Sequence, residues 1–168
     1  AEYRKTRIMK EAGFNAIRSA HNPISKAMLN ACDELGMYVM DEAFDNWVKN
    51  PGMYGHVMYF KDEWEKDLRD MVLKDLNHPS VIMYSTGNEI TDTAFPDGIE
   101  WAEKMTKLCH ELDDSRPVTC CINLFLNVLA QKGGAPKIAE NKINKEDITD
   151  PLAEASDSQM GGSMFINL

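Results

Sequence analysis

The sequence predicts an α/β fold built on a parallel sheet. Three observations carry that prediction. Short apolar runs alternate along the chain with amphipathic helical segments, the runs are apolar rather than alternating apolar and polar, and polar residues collect where the runs stop. Strand and helix in alternation mean βαβ units, whose parallel strands are joined by right-handed crossover helices. A strand buried on both faces reads as a continuous apolar run.

The elements follow in order. Residues 4–12 read as the end of a helix, with Ile8, Met9 and Ala12 on one side and Gly13 as its stop signal. Residues 14–18 (Phe14 to Arg18) form a first strand. Ala27, Met28, Ala31, Cys32 and Leu35 recur at helical spacing over 24–35, with Gly36 just past the end. Residues 37–40 form a second strand. A third helix spans 62–76 on the stripe Trp64, Leu68, Met71, Val72 and Leu76. Pro79 pushes the residue before it away from helical backbone and so introduces the strand 81–86. Residues 98–113 form a further helix on Trp101, Ala102, Met105, Leu108, Cys109 and Leu112, and 118–122 a fourth strand. The 11 methionines lie mainly on these stripes and read as core filler. From 131 to 168 periodicity is lost around Gly133-Gly134 and Pro136, which predicts an extended loop or disordered tail after a domain spanning 1–130. Met164 to Ile166 is the start of another element.

Composition excludes several function classes. With 168 residues, 43% hydrophobic and 27% charged, the chain suits one globular domain. No apolar run approaches the roughly 18 residues that mark a membrane span, so no membrane partner is expected. A formal net charge of −9 argues against nucleic acid, whose phosphates need a basic patch. The four cysteines (Cys32, Cys109, Cys120, Cys121) lack CxxC spacing and read as free buried thiols, so no zinc site and no cofactor are expected. Free thiols point weakly to a reducing compartment, and no signal peptide is visible. The chain opens without an initiator methionine inside an apparent helix, so it is expected to be a piece of something larger, and the compartment stays open.

Three polar clusters stand at the C-terminal ends of three successive strands. They are Arg18, His21 and Asn22; Asp41-Glu42 followed by Asp45-Asn46-Trp47; and Asn88-Glu89. Parallel strands bring all these ends to one rim, where α/β enzymes keep their chemistry. Arg18 with Asp41 or Glu42 is either a structural ion pair or part of that site. Adjacent strand residues face opposite ways, so one of Asp41 and Glu42 faces the pocket. The long connection 43–61, with Trp47, Tyr54, Tyr59 and Phe60, reads either as an aromatic rim for sugar rings or as a locally packed loop. His78, at a helix end on the opposite side of the sheet, reads as structural.

FNAIRSAHNP (14–23), CDELGMYVMDEAFDNW (32–47) and NHPSVIMYSTGNE (77–89) together resemble the central barrel domain of glycoside hydrolase family 2, which includes β-galactosidases, β-glucuronidases and β-mannosidases. The resemblance covers residues 4–130, with the β-galactosidase branch the nearest. It implies a partial (β/α)8 TIM barrel holding the second to fifth strands. It implies a carbohydrate substrate, Glu89 as general acid/base, and Asn88 on the sugar's 2-hydroxyl. Arg18, His21 and Asp41 or Glu42 would shape the sugar subsite or hold the catalytic carboxylates. A retaining glycosidase needs two carboxyl groups about 5–5.5 Å apart, one a proton donor and one a nucleophile. The family's nucleophile, a glutamate near the end of the seventh strand, has no counterpart here. The expectation is therefore a β-galactosidase-like fragment that is inactive alone. Its open sheet edges invite homodimerisation, or are covered by 131–168 folding back. Competing readings are a non-catalytic sugar-binding or structural half barrel, and a metal-dependent hydrolase on His21, Asp41, Glu42 and Glu89.

Overall fold

A computed structural model of the protein describes residues 1–49, 56–132 and 165–166. Helix α1 (Glu2–Glu11) leads into β1 (Ala16–Arg18), then α2 (Lys26–Leu35), β2 (Tyr38–Glu42), α3 (Phe60–Asp75), β3 (Val81–Ser85), α4 (Pro96–Leu112), β4 (Val118–Thr119), α5 (Leu124–Gln131) and β5 (Phe165–Ile166). Short 3₁₀ turns at His56–Met58 and Asp92–Ala94 precede α3 and α4.

The local chemistry explains the boundaries. The Ser25 side chain accepts from Met28 N and starts α2, and Gly36 ends it in the left-handed region at φ 69°. Pro96 opens α4, where a missing N–H is harmless. The sheet order is β4-β3-β2-β1-β5. Strands β1 to β4 are mutually parallel, as the alternating pattern requires, and Ile17 pairs with Val39, Val39 with Val81, and Tyr84 with Val118. The last strand, β5, pairs antiparallel along the outer edge of β1. Leu29 and Cys32 of α2, Leu68, Met71 and Val72 of α3, and Met105, Leu108 and Cys109 of α4 pack with Ile17, Val39, Val81 and Tyr84 in one core. Fully burying each such side chain is worth about 1.5–3 kcal/mol.

Three details differ from the sequence reading. First, β2 runs on to Glu42, so Asp41 and Glu42 are paired strand residues opposite Tyr84 and Ser85. Second, β4 has two residues instead of five. Beyond it the chain stays close to the segment after β3, with Cys121 N donating to Gly87 O and Ile90 N donating to Cys121 O. Third, α5 was not anticipated. Its residues LFLNVLAQ make only about two turns, with Asn127 and Gln131 as the two polar positions, too short a stripe to mark a helix, and Leu124 and Phe125 are exposed at 76% and 70%. The expected tail at 131–168 begins with the last residue of α5, ends near β5, and between 133 and 164 lies outside the described residues. Tyr54 also lies outside them.

Before α4 the backbone is close-packed. A Cβ on Gly98 would lie 1.9 Å from the Asp92 carbonyl oxygen, a contact only backbone movement relieves. Gly98→Ala is therefore expected to destabilise the chain by about 1–3 kcal/mol. A urea midpoint that matches the parent's would contradict this packing.

Candidate active site

The C-terminal ends of β1, β2 and β3 converge on the Glu42 carboxylate, which is 0% exposed. Arg18 at the end of β1 grips it with two bonds, Nε to Oε2 at 2.9 Å and Nη2 to Oε1 at 3.1 Å. His21, beyond β1, brings Nδ1 to 2.8 Å from Oε1. Ser85 at the end of β3 donates to Oε2 at 2.8 Å. A carboxylate taken out of water needs this many donors, because desolvation costs several kcal/mol that one partner seldom repays. The Arg18 guanidinium also reaches across to Asn88 Oδ1 at 2.7 Å. The Asn88 amide is fixed from both ends, since its Nδ2 donates to Asp45 Oδ1 at 3.2 Å.

Glu89 follows at the rim and is exposed. Its backbone has φ 46°, the left-handed region that a residue with a Cβ enters at a cost. Glu89 lies four residues past the end of β3, in the connection that leads to α4. Asn123 Nδ2 donates to Glu89 Oε1 at 3.0 Å, while its Oδ1 accepts from Leu126 N and caps α5. The cap commits the oxygen, so the amide presents its N–H₂ to Glu89.

Asp41 points the other way, as strand alternation demands. Its Oδ1 accepts from Ser19 Oγ and from Ile24 N, both at 3.1 Å. Burial, then the neighbouring Asp75 carboxylate, push the Asp41 carboxyl up to about 8. Asp41 is thus separated from the Arg18, Glu42 and Asn88 group. Trp47, for which a sugar-facing rim and a packed loop core are both open from the sequence, is fully buried. Its Nε1–H donates to Thr86 O at 2.7 Å, and its ring stacks 6.4 Å from Phe60 in a cluster that continues to Trp101 and Trp64. An apolar ring of that size is favoured inside the loop rather than on its surface. Tyr59 is exposed. His78 pairs with Asp33 at 2.6 Å, away from this rim, and closes the turn into β3.

The structure therefore gathers Arg18, His21, Glu42, Asn88 and Glu89 at one mouth, and places Asp41 and Trp47 behind it. The sequence reading missed Ser85 and Asn123. Serine carries no positional signal of its own. Asn123 had one, since it follows the fourth strand and the convergence rule applies to that strand as to the other three. Among the described residues no group of three His, Cys, Asp or Glu side chains is arranged to hold a metal ion.

Comparison with known proteins bears on this arrangement. The family model described as "Glycosyl hydrolases family 2, TIM barrel domain" matches residues 3–148. The β-galactosidase BoGH2A of Bacteroides ovatus is 47% identical over 89 residues, which make up 53% of this chain and 10% of that protein. A β-glucuronidase of Rattus norvegicus is 32% identical over 118 residues, 69% of this chain and 17% of that protein. The crystal structure of a family 2 member from Bacteroides cellulosilyticus superposes with a TM-score of 0.71 at 45% identity, covering 77% of this chain and 17% of that one. This chain thus spans between a tenth and a fifth of the length of these relatives.

Removing Arg18 would strand Glu42 without its main counter-charge. Arg18→Met is expected to cost about 3–5 kcal/mol. Chemical denaturation of that variant checks it, and a loss below about 1 kcal/mol would mean that the pair is not the main compensation.

Proposed function

The chain belongs to glycosyl hydrolase family 2, and from that membership and the rim geometry we propose that it supplies the acid/base half of a retaining β-glycosidase site. The observation that carries the proposal is the placement of an accessible carboxyl, Glu89, beside an amide, Asn88, that the Arg18–Glu42 pair holds rigid. In this reading Glu89 protonates the leaving glycosidic oxygen and later takes a proton from the attacking water. Asn88 directs its amide at the hydroxyl next to the anomeric carbon. Arg18 and His21 keep Glu42 charge-compensated and set the floor of the sugar subsite. Trp47 supports the strand ends from beneath, with its N–H on Thr86 O. Asp41 acts from the helix side rather than on the sugar.

The four parallel strands correspond to the second to fifth of the barrel. In this reading no described residue serves as the nucleophilic carboxylate that completes a retaining site, and the chain is inactive alone. The substrate class is a terminal β-linked sugar. Its identity as galactoside or glucuronide rests on the relatives, which carry both names.

The test is hydrolysis of nitrophenyl β-galactoside, β-glucuronide and β-mannoside by the purified 168-residue chain, with Glu89→Gln as control. No turnover on any of the three is expected. Turnover abolished by Glu89→Gln would show a complete site in this chain and overturn the half-site reading. The edge of β4 away from β3 carries no further strand among the described residues, and an unpaired edge invites a second chain. A homodimer by light scattering is the expected state, and a monomer across the micromolar range would sink that part.

A further inference from the structure

Behind the site lies a second cluster that the glycosidase reading does not use. Asp41 on β2 and Asp75 at the end of α3 are both 0% exposed. Lys74 Nζ lies 2.6 Å from Asp75 Oδ1 and donates to Ile24 O at 2.7 Å. Ile24 N and Ser19 Oγ both donate to Asp41 Oδ1, and Ser19 Oγ in turn accepts from Glu42 N at 2.8 Å. Asp41 therefore holds both ends of the segment 19–24, which carries His21 to Glu42. Its other oxygen, Oδ2, is buried with no donor to accept from. A buried oxygen without a donor is costly, and two buried carboxylates with one lysine leave a charge uncompensated. One proton on Asp41 Oδ2, donated to Asp75, removes both problems.

We propose that Asp41 is a positioning residue, protonated in the folded chain and bonded to Asp75, forming a clamp that fixes segment 19–24 and so sets His21 against Glu42. The titratable groups around Asp41 are Asp75 and Lys74 from α3 and Tyr84 from β3, while Glu42, next to it on β2, points to the opposite face of the sheet. Tyr84 is occupied elsewhere, since its hydroxyl donates to Asp113 at 2.9 Å. Lys74 compensates one of the two carboxyls and not both. Burial and Asp75 place the Asp41 proton at about 8, so the clamp is closed at neutral pH and opens on the alkaline side. Once the proton leaves, two like charges face each other beneath Ile24, and the segment shifts.

The linkage sign follows. Asp41 holds its proton more tightly folded, at about 8, than unfolded, at the ordinary 3.8. Between those values the folded chain binds one proton more, and this group's contribution to stability falls as pH rises through the window. The clamp stands whether or not the chain turns over sugars, and its test reads no turnover.

The test is a ¹H–¹⁵N NMR pH titration of the full chain, of Asp41→Asn and of Asp75→Asn, following the amides of Ser19, His21 and Ile24. Asn at 41 mimics the protonated acid, with its amide donating to Asp75, and Asn at 75 removes the facing charge. The parent is expected to show a step in all three amides centred near pH 8, absent in both variants. A flat parent, or the same step in Asp41→Asn, overturns the proposal. Should the variants fail to fold, urea midpoints of the parent decide it. A decline with pH between about 4 and 8 that corresponds to one proton supports the clamp, and a level profile refutes it.

Discussion

A carboxylate shut away from water governs the rim of this protein. Glu42 ends a strand in the middle of the sheet, where neither neighbour leaves room for solvent. Arg18 comes from the strand on one side, Ser85 from the strand on the other, and His21 from the segment beyond β1. Each donor is tied to the backbone of a different element. The strand ends cannot slip against one another without leaving that charge uncompensated, and such a loss outweighs any single apolar contact in the core.

The same residue pair organises what stands above it. Because Arg18 has donors to spare, it also fixes the Asn88 amide, and Asp45 holds that amide from the opposite side. Asn88 and Glu89 therefore inherit their placement from an ion pair on the two preceding strands. The loops behind them are stitched by similar means. Asp92 accepts from the backbone N–H of Val48 and Lys49, tying the connection after β2 to the turn before α4, and Trp47 is clasped beneath Thr86. These ties hold the rim to the aromatic cluster of Phe44, Phe60, Trp64 and Trp101 on the helical layer.

At the opposite ends of the strands the polar chemistry is structural. Asp33 receives His78 and the Ser80 N–H, and Arg116 binds the Val81 and His78 carbonyls. Burial works to raise the Asp113 carboxyl, but bonds from Ser115, Arg116 and Tyr84 hold it well below the usual carboxylate range. A chain that spends ion pairs at both rims separates their tasks by exposure. The lower ones seal turns, and the upper ones leave Glu89 accessible.

Much of this was legible in the sequence. Strand and helix alternation fixed the parallel order of four strands, and parallel order alone brings Arg18, Glu42, Asn88 and Glu89 to one rim. Alternation within a strand required that Asp41 and Glu42 diverge, but could not say which one faced the site. That choice depends on where β2 ends, and pairing with β3 carries it two residues further than the apolar run suggests. The burial of Trp47 was equally undetermined, because an aromatic residue in a loop suits a rim or a core until its neighbours are known. Helix α5 escaped because an octapeptide with two polar residues, Asn127 and Gln131, spans too few turns for a periodicity to be read, and its cap and its contact with Glu89 both come from one asparagine. Sequence by itself determined which residues could meet, since periodicity and strand direction are local properties. Only the tertiary structure decided which of them share a charge, a proton or a hydrogen bond, since those depend on distances of about 3 Å between segments far apart in the chain.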